Sequence, residues 1–469
     1  MTQMNKAQKN LIVFIIMIGT FLTSLNQTVL TSALPSIMSD FGVDASIGQW
    51  ITTVYLLVLG IMIPTTAYLI GKFSTRRLFI SSMGLFFIGC ILSIIAQNFM
   101  TMILSRILQA IGAGIIMQLV QVTMISLYPV EQRGKAMGIY GFAIGFAPVV
   151  GPVVAGYMID ILGWRSIFYV LGFIAITDII VAFLLLKNVG KTKKSTLEVI
   201  SVILSTLGFG GLLAGFSNVG IYGIANPITN IPMIIGILSL IVFVKRQLKV
   251  ETPLLELRVF RNTNFTISTI LSVIIYMAMM SATVIISLYV QSVRGYSAVV
   301  SGMLMLPGSI LMAILSPIAG NILDKYGPRK LVTCGFIFLG IGTSAFSMLS
   351  QNTPLIYLST MFCFRMIGIT SLLMPVTTWG INALKPEEIS HGSAINTTLR
   401  QVSGAIGSSV LISIMAYIAS NSKSSSVAVA NIKGMNASFR VATAIIAVGI
   451  ICSVIYVKDD NLYNEEAIG

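Results

Sequence analysis

The chain has 469 residues, of which 56% are hydrophobic and only 9% charged, with a mean hydropathy of +0.93. Soluble domains carry about 25% charged residues, so this composition excludes a soluble globular protein and describes an integral membrane protein. The formal charge of +14 raises nucleic acid as a partner, and four cysteines with one histidine raise a disulfide framework or a metal site, but the placement of these residues argues against all three.

Apolar segments of roughly 20 residues, the length that spans a bilayer, begin near Leu11, Gly48, Leu78, Thr101, Ala136 and Trp164. Two more begin near Leu197 and Pro227, and six further ones near Phe265, Ala298, Leu331, Pro354, Ser393 and Ser438. The pattern predicts an all-α polytopic membrane protein of fourteen helices with both termini on one side. Counted on that topology, 21 Lys and Arg fall on the terminus side, among them Lys72, Arg76, Arg77, Lys191, Lys193 and Lys194. Five fall on the other side (Arg165, Arg294, Lys423, Lys433, Arg440) and three within spans. The positive-inside rule then puts both termini in the cytoplasm, and the basic charge is topological rather than a nucleic-acid footprint. Cys90, Cys334, Cys363 and Cys452 lie inside apolar runs without paired spacing, and His391 has no neighbouring ligand, so no metal and no cofactor are expected.

Helix one runs into Asn26 and Gln27 without a small-residue cleavage site, and is kept as a span rather than a signal peptide. Helix four carries Arg106, Gln109, Gln118 and Gln121. An amide in hydrocarbon needs a partner or a wet cavity, so these amides, with Asn26, Gln27, and Asn396 and Gln401 on helix thirteen, are candidates for binding substrate or for tying helices together. Helix five contains GFAIGFAPVVGPVVAG, in which Gly141, Gly145, Pro148, Pro152 and Gly156 form a stripe almost without side chains. Small residues let backbones approach closely, and prolines bend membrane helices, so the stripe is a packing face or a hinge, with Gly145, Pro148, Gly151 and Pro152 as gating candidates.

Asp178, in FIAITDIIVAF of helix six, is the one acid placed well inside a span. Buried ionisable groups are costly enough to be functional candidates, and proton-coupled transport needs a group that exchanges a proton between two exposures. Arg106, Arg365 and Arg400 are the intramembrane cations, each of which must find an acid, backbone carbonyls or water. Met-rich surfaces repack around varied ligands, so Tyr276, Met277, Met279 and Met280 of helix nine, Met303 and Met305 of helix ten, and Met374 and Trp379 of helix twelve are candidates to line an adaptable cavity.

An internal repeat links the loops after helices two and ten: PTTAYLIGKFSTRR from Pro64 aligns without gaps to PIAGNILDKYGPRK from Pro317. Duplicated halves that rock about a central site are a common plan of secondary transporters. In the second copy Asp324 sits at the end of helix ten beside Arg329 and Lys330, where a carboxylate can accept from an arginine or a helix N-terminus and lock one side shut.

Four motifs now carry a family resemblance over essentially the whole chain: GNILDKYGPRK (Gly320 to Lys330), LSRILQAIGAG (Leu104 to Gly114), the Gly141 to Gly156 stripe, and LNQTVLTSALP (Leu25 to Pro35). Together they resemble the fourteen-helix drug:proton antiporters of the major facilitator superfamily, the EmrB/QacA/LmrB type. The resemblance implies the major facilitator fold, two pseudo-symmetric six-helix halves plus two extra central helices, here residues 1–187 and 263–469 around 188–262. It also implies a role for Arg106 in proton transfer, and export through the helix-five signature. Asn26 stands where the family commonly has an acid, and Gly71 where the second loop has Asp324; both remove charge. The function expected is proton-coupled efflux of amphipathic compounds from the plasma membrane by a monomer that contacts substrate, protons and lipid. Export of an endogenous lipid or metabolite by the same mechanism is the alternative, ahead of an uptake symporter or a non-transporting sensor. No Walker loop, catalytic set or cofactor fingerprint is present in the sequence, so no enzyme is expected.

Overall fold

A computed structural model describes residues 5–43, 45–48, 50–189, 198–223, 225–251, 253–422 and 426–459; Lys191, Lys193, Lys194 and Lys423 lie outside the described residues. Fourteen long helices follow the fourteen apolar segments. The first six are α1 (Lys6–Phe41), α2 (Trp50–Lys72), α3 (Thr75–Ile94), α4 (Phe99–Leu127), α5 (Arg133–Leu162) and α6 (Arg165–Leu185). Then come α7 (Val199–Tyr222) and α8 (Pro227–Gln247), and a second set of six: α9 (Thr263–Leu288), α10 (Ala298–Tyr326), α11 (Pro328–Ala345), α12 (Leu355–Asn382), α13 (Ile389–Ser420) and α14 (Val427–Tyr456). Thirteen of these are long and apolar enough to cross a membrane among the described residues. The other, α5, some of whose side chains lie outside that description, is 30 residues long and continuous through Pro148 and Pro152.

Local chemistry sets the ends. Asn98 caps α4 by accepting from the Thr101 N–H at 2.8 Å, and Asn262 caps α9 by accepting from Phe265 at 3.1 Å. Between α10 and α11 the chain reverses at Gly327, whose φ of +77° favours glycine, and Pro328 opens the next helix where no backbone donor is needed. The last helix begins earlier than its apolar run suggests, at Val427 rather than near Ser438, and it takes in Lys433 and Arg440, which are therefore helix-surface residues rather than loop charges. Its polar first half is explained by Asn436, which accepts from the Leu349 N–H and donates to the Leu349 carbonyl, both at 3.0 Å.

The two six-helix sets are built alike. A Cβ placed on Gly89 of α3 would meet Ser105 O and the Gln109 backbone of α4; one on Gly342 of α11 would meet Met361 O and the Arg365 backbone of α12. Likewise Gly112 lies on Ser82 and Phe86, and Gly368 on Gly335 and Leu339. The α3–α4 crossing therefore recurs as α11–α12, α11 keeping the 253-residue offset of the loops and α12 lying three residues further on, so that Arg365 stands where the first half has Gln109. The halves meet along α5 with α10 and α2 with α13, and the α7–α8 hairpin packs onto α2 and α13. Fourteen crossings return the chain to its starting side, called the terminus face below.

Candidate functional site

The first component is a seam of glycines. Gly134, Gly138, Gly141 and Gly145 recur at four, three and four residues, so they share one face of α5, and that face lies on α10. Gly320 of α10 packs directly on the Gly134 carbonyl, Gly138 packs on the backbone of Ser316 and Pro317, and Gly145 touches only the flexible side chain of Met312. Ser316 Oγ donates to the Gly138 carbonyl at 2.9 Å. At the terminus end the Asp324 carboxylate accepts from the backbone N–H groups of Gly134 and Lys135, at 2.7 and 2.8 Å, in the first turn of α5. Those donors have no partner within the helix, and its dipole favours a negative charge there. Of the stripe read from the sequence, Gly141 and Gly145 face α10, whereas the gating candidate Gly151, off the stripe, faces Thr28 of α1 inside the first half. The side chains of Pro148 and Pro152 lie outside the described residues. Arg329 and Lys330 are not brought to Asp324; the Arg329 N–H instead bonds Asp459 at 3.0 Å.

Within the first half Arg106 is fully buried and well satisfied. It donates to Gln109 Oε1 at 2.6 Å, Asn26 Oδ1 at 3.2 Å and the Ile51 carbonyl at 3.3 Å, and its guanidinium lies 4.1 Å from the Tyr55 ring centre. Asn26 also donates to Gln109 at 3.0 Å, and Gln109 to Ser93 at 3.0 Å. The amides of Asn26 and Gln109 are therefore spent on joining α1, α3 and α4. Asp178 is 2% exposed and neither carboxylate oxygen has a hydrogen-bond partner. It faces α1 at Gly19, where a Cβ would stand 3.4 Å from Oδ2. None of the ion pairs among the described residues includes it.

The third component is a polar layer between the halves. Gln118 of α4 donates to the Ser390 carbonyl at 3.5 Å, and Gln121 Oε1 accepts from Thr397 Oγ1 of α13 at 3.1 Å. Asn396 donates to Ser272 of α9 at 3.2 Å, and Arg400 donates to Thr377 of α12 at 3.4 Å and Thr397 at 3.5 Å. Ser393, Asn396, Thr397, Arg400 and Ser403 are all buried, at a helical spacing that makes one polar face of α13. Arg133 of α5 adds a bond to Asn382 of α12 at 3.0 Å. With the Asp324 bonds, these contacts lie toward the terminus ends of their helices, so this conformation is closed at the terminus face.

The remaining candidates are scattered. Tyr276 and Met280 are half-buried and pack on Gly404 of α13, beside the polar layer; Gln27 and Gln401 are half-buried. Trp379 is buried near the end of α12, and Met303 is exposed on the outer surface of α10. Thr377, Thr397 and Ser272 were not evident as site residues, because hydroxyls that bond neighbouring backbone carbonyls are common in membrane helices. The available signal was the run of polar residues at three- and four-residue spacing from Ser393 to Ser403.

Comparison with known proteins follows this geometry. The pattern of the Major Facilitator Superfamily matches residues 16–408. Over 445 residues the chain is 42% identical to the uncharacterized MFS-type transporter YcnB of Bacillus subtilis, covering 95% of this chain and 94% of that one. It is 34% identical to the lincomycin resistance protein LmrB of the same organism, covering 86% and 84%. Among solved structures, the human organic anion transporter MFSD10 superposes with a TM-score of 0.70 over 95% of this chain and 99% of that chain, at 13% identity, which shows a shared fold.

Proposed function

Because the chain belongs to the Major Facilitator Superfamily, a family of transporters rather than catalysts, we propose that it is a proton-coupled exporter of amphipathic compounds that works by alternating access. We place both termini on the cytoplasmic side of the plasma membrane, a reading that the excess of Lys and Arg on that side supports. The lincomycin resistance relative supports drug-like cargo.

The observation that carries the reading is the clasp at the terminus face. Asp324 binds the first turn of α5 across the two halves, over a seam with almost no side chains. A bond to a helix end together with close backbone packing makes an interface with two discrete arrangements, shut or parted, which is what alternating access needs. Proton coupling falls to Asp178, the unpartnered buried acid, and Arg106 transmits it. Gly19 against Asp178 and Asn26 against Arg106 are seven residues apart on one face of α1, so a shift of α1 on protonation reaches α4, and through Gln118 and Gln121 it reaches α13.

The test is accumulation of lincomycin and of a lipophilic dye in everted membrane vesicles, with and without a protonophore. Gradient-dependent accumulation of either supports the proposal. Accumulation that survives collapse of the gradient rejects proton coupling, and no accumulation of any amphipathic compound rejects export.

A further inference from the structure

Of the three buried arginines, Arg106 is satisfied by the protein, Arg365 is held by two bonds, and Arg400 has the weakest partners. Arg106 holds its three acceptors at 2.6–3.3 Å. Arg365 donates to the Ala278 carbonyl at 2.8 Å and to the Thr343 hydroxyl, which leaves its Nε unpaired. Arg400, 3% exposed, reaches only the Thr377 and Thr397 hydroxyls, at 3.4 and 3.5 Å, the outer limit of a hydrogen bond, and its Nε is unpaired as well. None of the ion pairs among the described residues involves it. The neighbouring polar atoms are also incompletely used. Gln121 Nε2 is a buried donor without a partner, and Asn396 Oδ1 a buried acceptor without one. Thr397 joins the set, because its hydroxyl donates to Gln121 and accepts from Arg400.

A guanidinium in a low-dielectric layer without an anion is the expensive arrangement, and breaking or omitting one partner of a buried pair costs several kcal/mol by order of magnitude. An oxyanion repairs it best: two parallel N–H···O bonds match the guanidinium fork, and a further donor completes the acceptor. The surroundings suit an amphipathic acid. The Tyr276 ring centre lies 5.7 Å from the guanidinium, Met280 packs with Tyr276 on Gly404, and the first-half side chain tied to the layer through Thr397 is the neutral amide of Gln121. The buried acid of the spans, Asp178, lies against α1 within the first half, outside this layer.

We propose that Arg400, assisted by Gln121 and flanked by Tyr276, binds the anionic head of the transported compound, so that the substrate class is amphipathic organic acids, carboxylates in the first place. The proposal rests on the transport reading and narrows it. In this conformation the Thr397–Gln121 bond closes the layer, so the acid enters when α4 and α13 part, from the terminus face, which is the loading side of an exporter.

The test is fluorescence titration of the full-length protein in lipid nanodiscs with dansylaminoundecanoic acid and its uncharged methyl ester. The acid should bind about tenfold more tightly than the ester, Arg400→Gln should remove that preference without weakening the ester, and Arg400→Lys should retain part of it. Gln121→Leu, which leaves the cation in place, should lose several-fold for the acid alone and decides the matter if Arg400→Gln does not fold. Equal binding of acid and ester by the wild type, or a preference that survives both substitutions, overturns the proposal. Vesicle accumulation under a protonophore is scored separately: acid preference without gradient-driven transport leaves the site and removes the exporter, whereas transport without acid preference does the reverse.

Discussion

Asp178 and Arg400 pose opposite electrostatic problems in one bilayer, and the residues around them answer differently. Asp178 has no donor at all, so Asp178→Asn, which keeps its size, should preserve folding while reducing gradient-driven accumulation to the level seen with a protonophore. Retained coupling in that variant would make the residue a packing group. Outside the membrane core the balance is ordinary. Hydrogen bonds from Arg165, at 2.6 Å, and then from Trp164 hold the Asp40 carboxyl below its usual range. A lowered folded-state value stabilises above the unfolded value and the contribution is lost as pH falls through the folded one. Because the pair is largely solvent-exposed, Asp40→Asn should lower the melting temperature by no more than about 2 °C at neutral pH, and the difference should close below about pH 4. A gap that widens with acidity would contradict the assignment.

At the scale of elements, the α5–α10 seam makes its own graded prediction. A methyl group on Gly138 would sit 2.6 Å from the Ser316 carbonyl oxygen and 2.9 Å from Pro317 Cα, both backbone atoms that cannot turn aside. On Gly145 it would meet only Met312 side-chain atoms at 3.3–3.5 Å. Overpacking costs about 1–3 kcal/mol, so Gly138→Ala should cut efflux several-fold by disfavouring the closed terminus face, while Gly145→Ala stays close to wild type. Equal tolerance at both sites would reduce the seam to passive packing. The glycine periodicity of α5 was legible in the sequence, but its partner was not. Spacing fixes which residues share a face, and only the neighbouring helix decides that Gly134 and Gly138 extend the face toward Asp324 while Gly151 turns to α1. The same limit applies to α14, where an amide clamping a distant loop holds a polar first half that hydropathy alone leaves outside the span.

For the molecule as a whole, fourteen apolar segments, a duplicated loop and the four motifs were enough to specify the fold, because the bilayer leaves helices no alternative. The inter-half layer was not specified in that way: Gln121 and Thr397 are far apart in the chain, and a single sequence carries no record of which amide meets which hydroxyl. What that layer and the seam do together can be tested by fixing them. An ideal Cβ on Gly141 lies 3.7 Å from Ser316 Cβ, close to the mean of about 3.8 Å for a disulfide. Once Cys90, Cys334, Cys363 and Cys452 have been replaced, the pair Gly141→Cys and Ser316→Cys should therefore cross-link α5 to α10 under mild oxidant. If transport requires the halves to part at the terminus face, the oxidised protein should lose efflux by at least about tenfold and recover it on reduction, while substrate offered from the opposite side still binds. Full efflux after quantitative cross-linking would place the moving gate elsewhere, on the α4–α13 contact that Gln118, Gln121 and Thr397 make.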